Sequence, residues 1–268
     1  MRIGVIGYGV VGKAAVNTFK NEFEIVKYDK YQDLDSFSNL FFCDFVFIMV
    51  PTPFDCDKNG IDLSAVTESL TKLDNLNYKG VVLIKSTIPP GSCDSFDKAF
   101  NLRIVFNPEF LRESTTPNED FQNQDTIVIG TSSKKSFEKV RKMYALIAVE
   151  HAKYYHTSSL EAEMIKSAQN TMLASRVALA NMIYDACLEK NVEYNKVKEI
   201  AFDNFEILGP HMVTVPGPDG KRGFGGKCLP KDIRSFSTVF ESALLNNIIA
   251  YNDSLRDDLE DFLLNYHA

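Results

Sequence analysis

Paired cysteines are missing from this chain: the five that occur, at positions 43, 56, 93, 187 and 228, have neither CxxC spacing nor an even count. Nothing points to a disulfide framework or a zinc or other metal site, and a reducing, cytoplasmic setting is the expectation. A basic excess is missing too. The formal net charge of -7 gives no global reason to bind nucleic acid or an anionic membrane, although a local basic pocket could still hold phosphate. Long apolar runs are absent: the run at 3–6 is cut by Gly7, Gly9 and Gly12 before it reaches the length of a signal peptide or membrane segment. There is no internal repeat or low-complexity tract. What is present is 45% hydrophobic and 24% charged over 268 residues, enough for one large or two medium domains and a small-molecule partner.

The first half alternates short β-branched or aromatic runs, MRIGVIG, EIVKYD, FVFIMVP, VVLIKST, RIVFN and DTIVIG, with polar stretches long enough to hold a helix. That alternation predicts an α/β fold, with a Rossmann-like doubly wound parallel sheet and helical crossovers. After about residue 153 the period becomes helical. The reading is an N-terminal domain over 1–157 and an all-helical central domain over 158–268. Ser158 and Glu161 have the spacing of a capping box, and residues 159 to about 190 contain neither proline nor glycine, so one long helix is predicted there. Glycine and proline then recur through VPGPDGKRGFGG, an ordered turning loop, and helix resumes near Pro230, whose missing N–H costs nothing in a first turn. Beyond 239, apolar positions interleaved with Asn, Asp and Glu predict one or two further helices.

Gly7-Tyr8-Gly9-Val10-Val11-Gly12 follows the first apolar run and opens a helical segment, and Asp29, with Lys30 beside it, closes the second run. Glycines at that spacing allow a tight turn and close approach of backbone to a pyrophosphate. Helix N–H groups meet its charge, and the aspartate accepts hydrogen bonds from an adenosine ribose. A carboxylate there repels a 2′-phosphate, which predicts NAD over NADP; Lys30 partly offsets that repulsion.

Cys228 differs from the other cysteines in its setting. It lies in a glycine-flanked loop, between Lys227 and Lys231 and just before a predicted helix start, each a source of positive potential that lowers a thiol pKa. The other four read as inert small residues. Lys166 and Asn170 are four apart on the long predicted helix, so both project from one face and can converge on one oxygen; a lysine on a solvated helix face satisfies the same spacing. Glu109 and Glu113 follow RIVFN at the sheet edge where doubly wound folds bind ligands. Thr52 and Thr87 end runs at that edge, where ordinary strand-terminal capping is the plainer explanation.

Five ordered segments carry more than any one alone: VPTP at 50–53, STIPPG at 86–91, NPEFLRE at 107–113, Glu163-x-x-Lys166-x-x-x-Asn170, and GFGGKCLPKD at 223–232. In this order they resemble the UDP-glucose/GDP-mannose dehydrogenase family, from residue 1 to about 236. The resemblance implies a two-step, four-electron oxidation of a nucleotide sugar's C6 alcohol to a carboxylate, consuming two NAD and passing through a cysteine-bound thiohemiacetal and thioester. UDP-glucose to UDP-glucuronate, a precursor for polysaccharide biosynthesis, is the first expectation; UDP-N-acetylmannosamine and GDP-mannose are the alternatives. It implies Cys228 as nucleophile, Lys166 with Asn170 stabilising oxygen charge, Asp232 assisting a water or proton, Glu113 as general base or holder of the hydrolytic water, and Thr87 as a water contact. By the same resemblance Pro51, Thr52, Thr87, Glu113 and Lys231 join the glycine loop, Asp29 and Lys30 around the cofactor. The substrate falls to Glu109, Phe110, Leu111, Arg112, Glu113, Lys166, Asn170, Phe224, Gly225, Gly226 and Cys228.

Members of that family usually carry a third α/β domain that supplies nucleotide-binding surface, and the thirty-odd residues after Asp232 are too few for one, so none is expected here. That leaves open how the nucleotide is held rather than the chemistry. The long helix is expected to build a homodimer interface, across which His211 or Arg222 could reach a neighbour's nucleotide; packing within the chain is its other reading. Two further readings compete. One is a non-catalytic NAD-binding module, against which the retained Lys166, Asn170, Cys228 and Asp232 argue. The other is a one-step 3-hydroxyacid dehydrogenase of the same two-domain plan, which would not need Cys228.

Overall fold

A strand that is apolar at every position has two faces to bury, so the runs of the first half require helices on both sides of their sheet. The computed structural model describes residues 1–111, 116–206, 208–209, 211–226 and 228–256. The chain divides into two compact units, Met1–Thr52 with Asp62–Lys166, and Pro53–Ile61 with Ser167–Ala268. In chain order the elements are β1 (Arg2–Ile6), α1 (Val10–Phe19), β2 (Glu24–Tyr28), β3 (Phe45–Ile48), β4 (Phe54–Asp55), β5 (Gly60–Ile61), α2 (Ser64–Asn75), β6 (Val81–Ile84), α3 (Ser92–Ala99) and β7 (Arg103–Phe106). There follow α4 (Pro117–Gln122), β8 (Thr126–Gly130), α5 (Lys134–Tyr144), β9 (Lys153–Thr157), α6 (Ser159–Glu189), α7 (Tyr194–Lys198), α8 (Leu229–Val239) and α9 (Ala243–Leu255).

In the first unit seven strands make one sheet, ordered β2-β1-β3-β6-β7-β8-β9. Alternate residues of its central strands go to opposite cores. Ile3, Val5, Phe47 and Leu83 pack with Ala15 and Phe19 of α1 and Val140 and Tyr144 of α5. Val46, Ile48, Val82 and Ile84 pack with Leu70 and Leu73 of α2 and Phe96 of α3. Burying one such side chain contributes roughly 1.5–3 kcal/mol, so these two layers, more than local propensity, hold the unit together.

The sheet is mostly parallel, with one departure from the expected pattern. β7 and β8 are antiparallel, through the pair Phe106–Gly130, and β8 and β9 are parallel to each other. Between β7 and β8 the described helix is the six-residue α4, short for the covering crossover that a parallel return needs. The edge strand β9, with the sequence KYYHT, adds a seventh strand to the six predicted ones; its charged and half-exposed residues carry no buried-strand pattern.

The long predicted helix is present as α6, 31 residues, its first turns counted in the first unit and the rest in the second. Its start is held as the spacing predicts: the Ser158 hydroxyl accepts from the Glu161 N–H at 3.2 Å, and the Glu161 carboxylate accepts from the Ser158 N–H at 2.7 Å. Ala174 and Ala178 of α6 pack against Phe224, Ile233 of α8 and Leu245 of α9. Farther along, Ala180 and Cys187 pack with Tyr194, Val213 and Val215. The β4–β5 hairpin adds a small antiparallel element to this otherwise helical unit. Among the described residues no helix is long and apolar enough to cross a membrane.

Leu83 lies in the middle of the sheet with no exposed surface. Leu83→Ala leaves a cavity and is expected to lower the stability of the first unit by about 3 kcal/mol, read as a fall in the urea midpoint followed by circular dichroism.

Candidate active site

The strand order places β2 on one side of β1 and β3 on the other, so the crevice of a doubly wound sheet opens where the carboxyl ends of β1 and β3 diverge. The glycine motif occupies that end. At Gly7, with φ of 92°, an added Cβ would stand 2.4 Å from the Met49 carbonyl oxygen; at Gly12 it would stand 2.1 Å from that of Gly7. Neither position has room for a side chain. Around Gly9 the same construction meets nothing within 4 Å, an open side next to the first N–H groups of α1, as a pyrophosphate needs.

The Asp29 carboxylate is fixed by two backbone donors, Tyr8 N–H at 2.8 Å and Tyr31 N–H at 2.9 Å, at the end of β2. Lys30 turns to Glu68, 2.8 Å away. An acidic group so held at the end of β2 fits NAD. Pro51 is exposed, whereas Thr52 is buried and donates its hydroxyl to the Thr87 carbonyl at 2.8 Å, tying the segment after β3 to that after β6.

Glu109 and Lys166 form a buried ion pair in the first unit. The Lys166 ammonium donates to the Glu109 carbonyl at 2.6 Å and to its carboxylate at 3.1 Å, and stands 5.5 Å from the centre of the Phe110 ring. The second Glu109 oxygen accepts from Leu111 N–H at 2.6 Å. Burial alone would raise the Glu109 pKa, but Lys166 and the Leu111 N–H outweigh it and hold the carboxyl below its ordinary range. Glu163, one turn before Lys166, accepts from Gly91 N–H at 2.6 Å and Cys93 N–H at 2.8 Å at the start of α3, which gives the first member of the Glu-x-x-Lys spacing a bracing role.

Lys85 was not singled out by its sequence, where it reads as the polar end of VVLIK. It is 2% exposed, and its ammonium faces the Asn107 carbonyl at 3.2 Å, the Asn107 side-chain oxygen at 3.0 Å, the Pro108 carbonyl at 3.4 Å and the Tyr144 hydroxyl at 3.3 Å. Every one of these can accept a hydrogen bond, and three of them belong to the turn that leads directly into Glu109. Burial pulls the pKa of Lys85 down to about 7, with Glu109 opposing and Lys166 reinforcing that shift.

In the second unit Asp232 is 3% exposed and accepts from both the Asn170 side-chain N–H and the Lys231 ammonium. Asn170 thus joins α6 to the first turn of α8. Although Lys166 and Asn170 are one turn apart on α6, they hold different carboxylates, Glu109 and Asp232. Cys228 is the N-cap residue of α8, its carbonyl accepting from Asp232 N–H at 2.9 Å, and Pro230 lies in the first turn. Phe224 is buried and Gly225 and Gly226 follow it. Arg222 is engaged inside its own unit, 2.6 Å from Asp185 and 5.3 Å from the centre of the Tyr184 ring. Arg112 and Glu113, expected at the site, and Lys227, expected to lend positive potential to Cys228, lie outside the described residues.

Comparison with known proteins bears on these groups. Residues 30–148 match the NAD-binding domain of the UDP-glucose/GDP-mannose dehydrogenase family, and residues 160–254 match its central domain. A UDP-glucose 6-dehydrogenase of Rickettsia felis is 35% identical over 205 residues, 74% of this chain and 44% of the relative. The chain spans about half the length of the curated relatives it matches. Among solved structures, a UDP-glucose dehydrogenase from Pyrobaculum islandicum is similar with a TM-score of 0.80 at 24% identity, covering 94% of this chain and 68% of that one. A UDP-D-ManNAc dehydrogenase from Pyrococcus horikoshii gives 0.82 at 21% identity, covering 95% and 69%. These two establish similarity of fold.

The depressed lysine has a consequence that can be measured. Between about pH 7 and 10.5 the unfolded chain carries a proton on Lys85 that the folded chain has shed, so this group makes stability rise with pH across that window and adds no slope below it. Lys85→Met is expected to flatten that part of the stability profile, measured by urea unfolding at stepped pH.

Proposed function

The chain belongs to the UDP-glucose/GDP-mannose dehydrogenase family, and from that premise we propose that it oxidises the C6 alcohol of a nucleotide sugar to the carboxylate in two NAD-dependent steps, UDP-glucose being the first substrate to test. The observation that carries this is the head of α8. Cys228 is the N-cap residue of that helix, a position at which the helix dipole favours a thiolate, and one turn later stands a buried carboxylate held by Asn170 and Lys231.

When bound, NAD would supply the hydride acceptor for each oxidation at C6. In the first unit, residues 7–12 and Asp29 would hold that cofactor. Loss of the first hydride and the hydroxyl proton leaves an aldehyde, to whose carbon the Cys228 thiolate adds, giving a thiohemiacetal. Loss of the second hydride leaves a thioester, and water releases the carboxylate and restores the thiol. Lys166 and Asn170 are assigned to the oxygen that gains negative charge, Asp232 to the proton or water exchanged there, and Glu113 to the base for the hydrolytic water.

A homodimer through α6 belongs to the same proposal. Met172, Leu179 and Met182 share one side of the helix and are 64%, 53% and 52% exposed, an apolar stripe that water alone does not explain.

The purified chain is expected to form two NADH per UDP-glucose, followed at the nicotinamide absorbance. Cys228→Ser should lower complete turnover by about a thousandfold while leaving NAD binding unchanged. Full two-step turnover by that variant would overturn the covalent role; NAD binding with no NADH formed from UDP-glucose, GDP-mannose or UDP-N-acetylmannosamine would instead make the chain a binding module. For the interface, Leu179→Glu is expected to shift the sedimentation coefficient from dimer to monomer, and an unchanged value would remove α6 from it.

A further inference from the structure

The glycines ahead of Cys228 have an occupant inside the chain. An added Cβ at Gly225 would stand 2.7 Å from the guanidinium carbon of Arg256, and one at Gly223 would stand 2.6 Å from the Asn252 side-chain oxygen. Both partners belong to the end of α9, and both are deeply buried: Asn252 is 0% and Arg256 7% exposed. Asn252 grips Phe224 by its own peptide groups, accepting from its N–H at 2.6 Å and donating to its carbonyl at 3.1 Å. Arg256 donates to the Arg222 carbonyl at 3.3 Å and to the Asp219 carboxylate at 2.8 Å. From the other side, Asn181 of α6 accepts from Gly223 N–H at 3.1 Å. Asn252, Arg256 and Asn181 thus each bond to backbone within 222–224, and a methyl group at Gly225 would meet the Arg256 guanidinium.

We propose that Asn252 and Arg256 are positioning residues for Cys228: they fix the backbone at 222–225 and so determine where the thiol stands at the head of α8. The proposal rests on reading Cys228 as the nucleophile. It gives the glycines of GFGG a second reason beside ligand access. Gly223 and Gly225 are small because Asn252 and Arg256 fill the space beside them, whereas at Gly226 the space beyond the backbone is open. The geometry is directional. Phe224 is buried against Ala174, Ala178, Ile233 and Leu245, so a backbone released by Arg256 stays anchored at that ring.

The test reads the thiol rather than turnover. In the full chain without cofactor or sugar, alkylation of Cys228 by iodoacetamide is followed by peptide mass spectrometry from pH 6 to 10, with the exposed Cys56 as internal reference. Gly225→Ala and Arg256→Ala are each expected to change the Cys228 rate by about fivefold or more at an unchanged Cys56 rate, the scale of coupling between residues in contact. In the double variant the methyl enters the space the arginine has left, so Gly225→Ala adds nothing to Arg256→Ala alone, and Arg256→Lys recovers part of the parent rate. Additive effects, or a Cys228 rate unmoved in the folded single variants, overturn the proposal. Should the arginine variants not fold, Asn252→Asp keeps the size and the acceptor for Phe224 N–H but sets an oxygen against the Phe224 carbonyl. It is expected to move the pH midpoint of Cys228 alkylation, and an unmoved midpoint and rate overturn the proposal equally. A chain that alkylates as expected but forms no NADH counts against the dehydrogenase reading and leaves this one standing.

Discussion

Charge removed from water has to be met inside the protein, and two such meetings fix the groups on which the candidate chemistry depends. Taking an ion into the interior costs several kcal/mol, so the nearly buried pairs Glu109–Lys166 and Asp232–Lys231 exist only with close partners. Neither is a strong argument for stability, since an apolar pair of equal volume can serve as well. Their effect is on position. Glu109 is held between Leu111 N–H and Lys166, which ties the turn after β7 to the first part of α6. Asp232, held by Asn170 and Lys231, ties α8 to α6. Lys85 supports the first arrangement from beneath, its ammonium set among the oxygens of Asn107, Pro108 and Tyr144.

Sterics complete what charge begins. Gly7 and Gly12 are closed to any side chain by backbone carbonyls, so the turn after β1 is tight whether or not a cofactor is bound. At Gly225 the excluding atom is a buried guanidinium, held by Asp219 and the Arg222 carbonyl. One residue type thus answers two different demands in the two units, the close approach of backbone to backbone in one and the packing of an arginine in the other.

This difference shows what the sequence could tell. Local rules were enough for the two-faced strands, the capping box at Ser158 and Glu161, the helix of 31 residues and the placing of Cys228 just ahead of α8. Family-wide spacing picked out Lys166, Asn170 and Asp232. What the chain did not disclose was pairing across distance. Lys85 lies 22 residues from Asn107 and 59 from Tyr144, and no local pattern marks a lysine at a strand end as fully buried. β9 carries lysine and histidine at a sheet edge, where the apolar alternation that identifies an inner strand is not required. The glycines of GFGG were legible as glycines, yet their reason stood in α9, beyond the last motif that the family resemblance covers.

The proposed covalent step explains why so much structure converges on one thiol. A two-electron acceptor can complete a four-electron oxidation only if the half-oxidised sugar stays while the cofactor is exchanged. A thiohemiacetal at Cys228 keeps the carbon by a bond, so retention no longer depends on how firmly the nucleotide is gripped; that grip matters chiefly for the first encounter. The burden then passes to the geometry of the thiol, which has to meet an aldehyde carbon within bonding reach, and a misplacement of about 1 Å can lower such a step by about a hundredfold. A freely turning loop would not meet that tolerance. Phe224 is held in the core, Asn252 is bonded to its backbone and Arg256 to that of Arg222, so the approach to α8 starts from fixed scaffold.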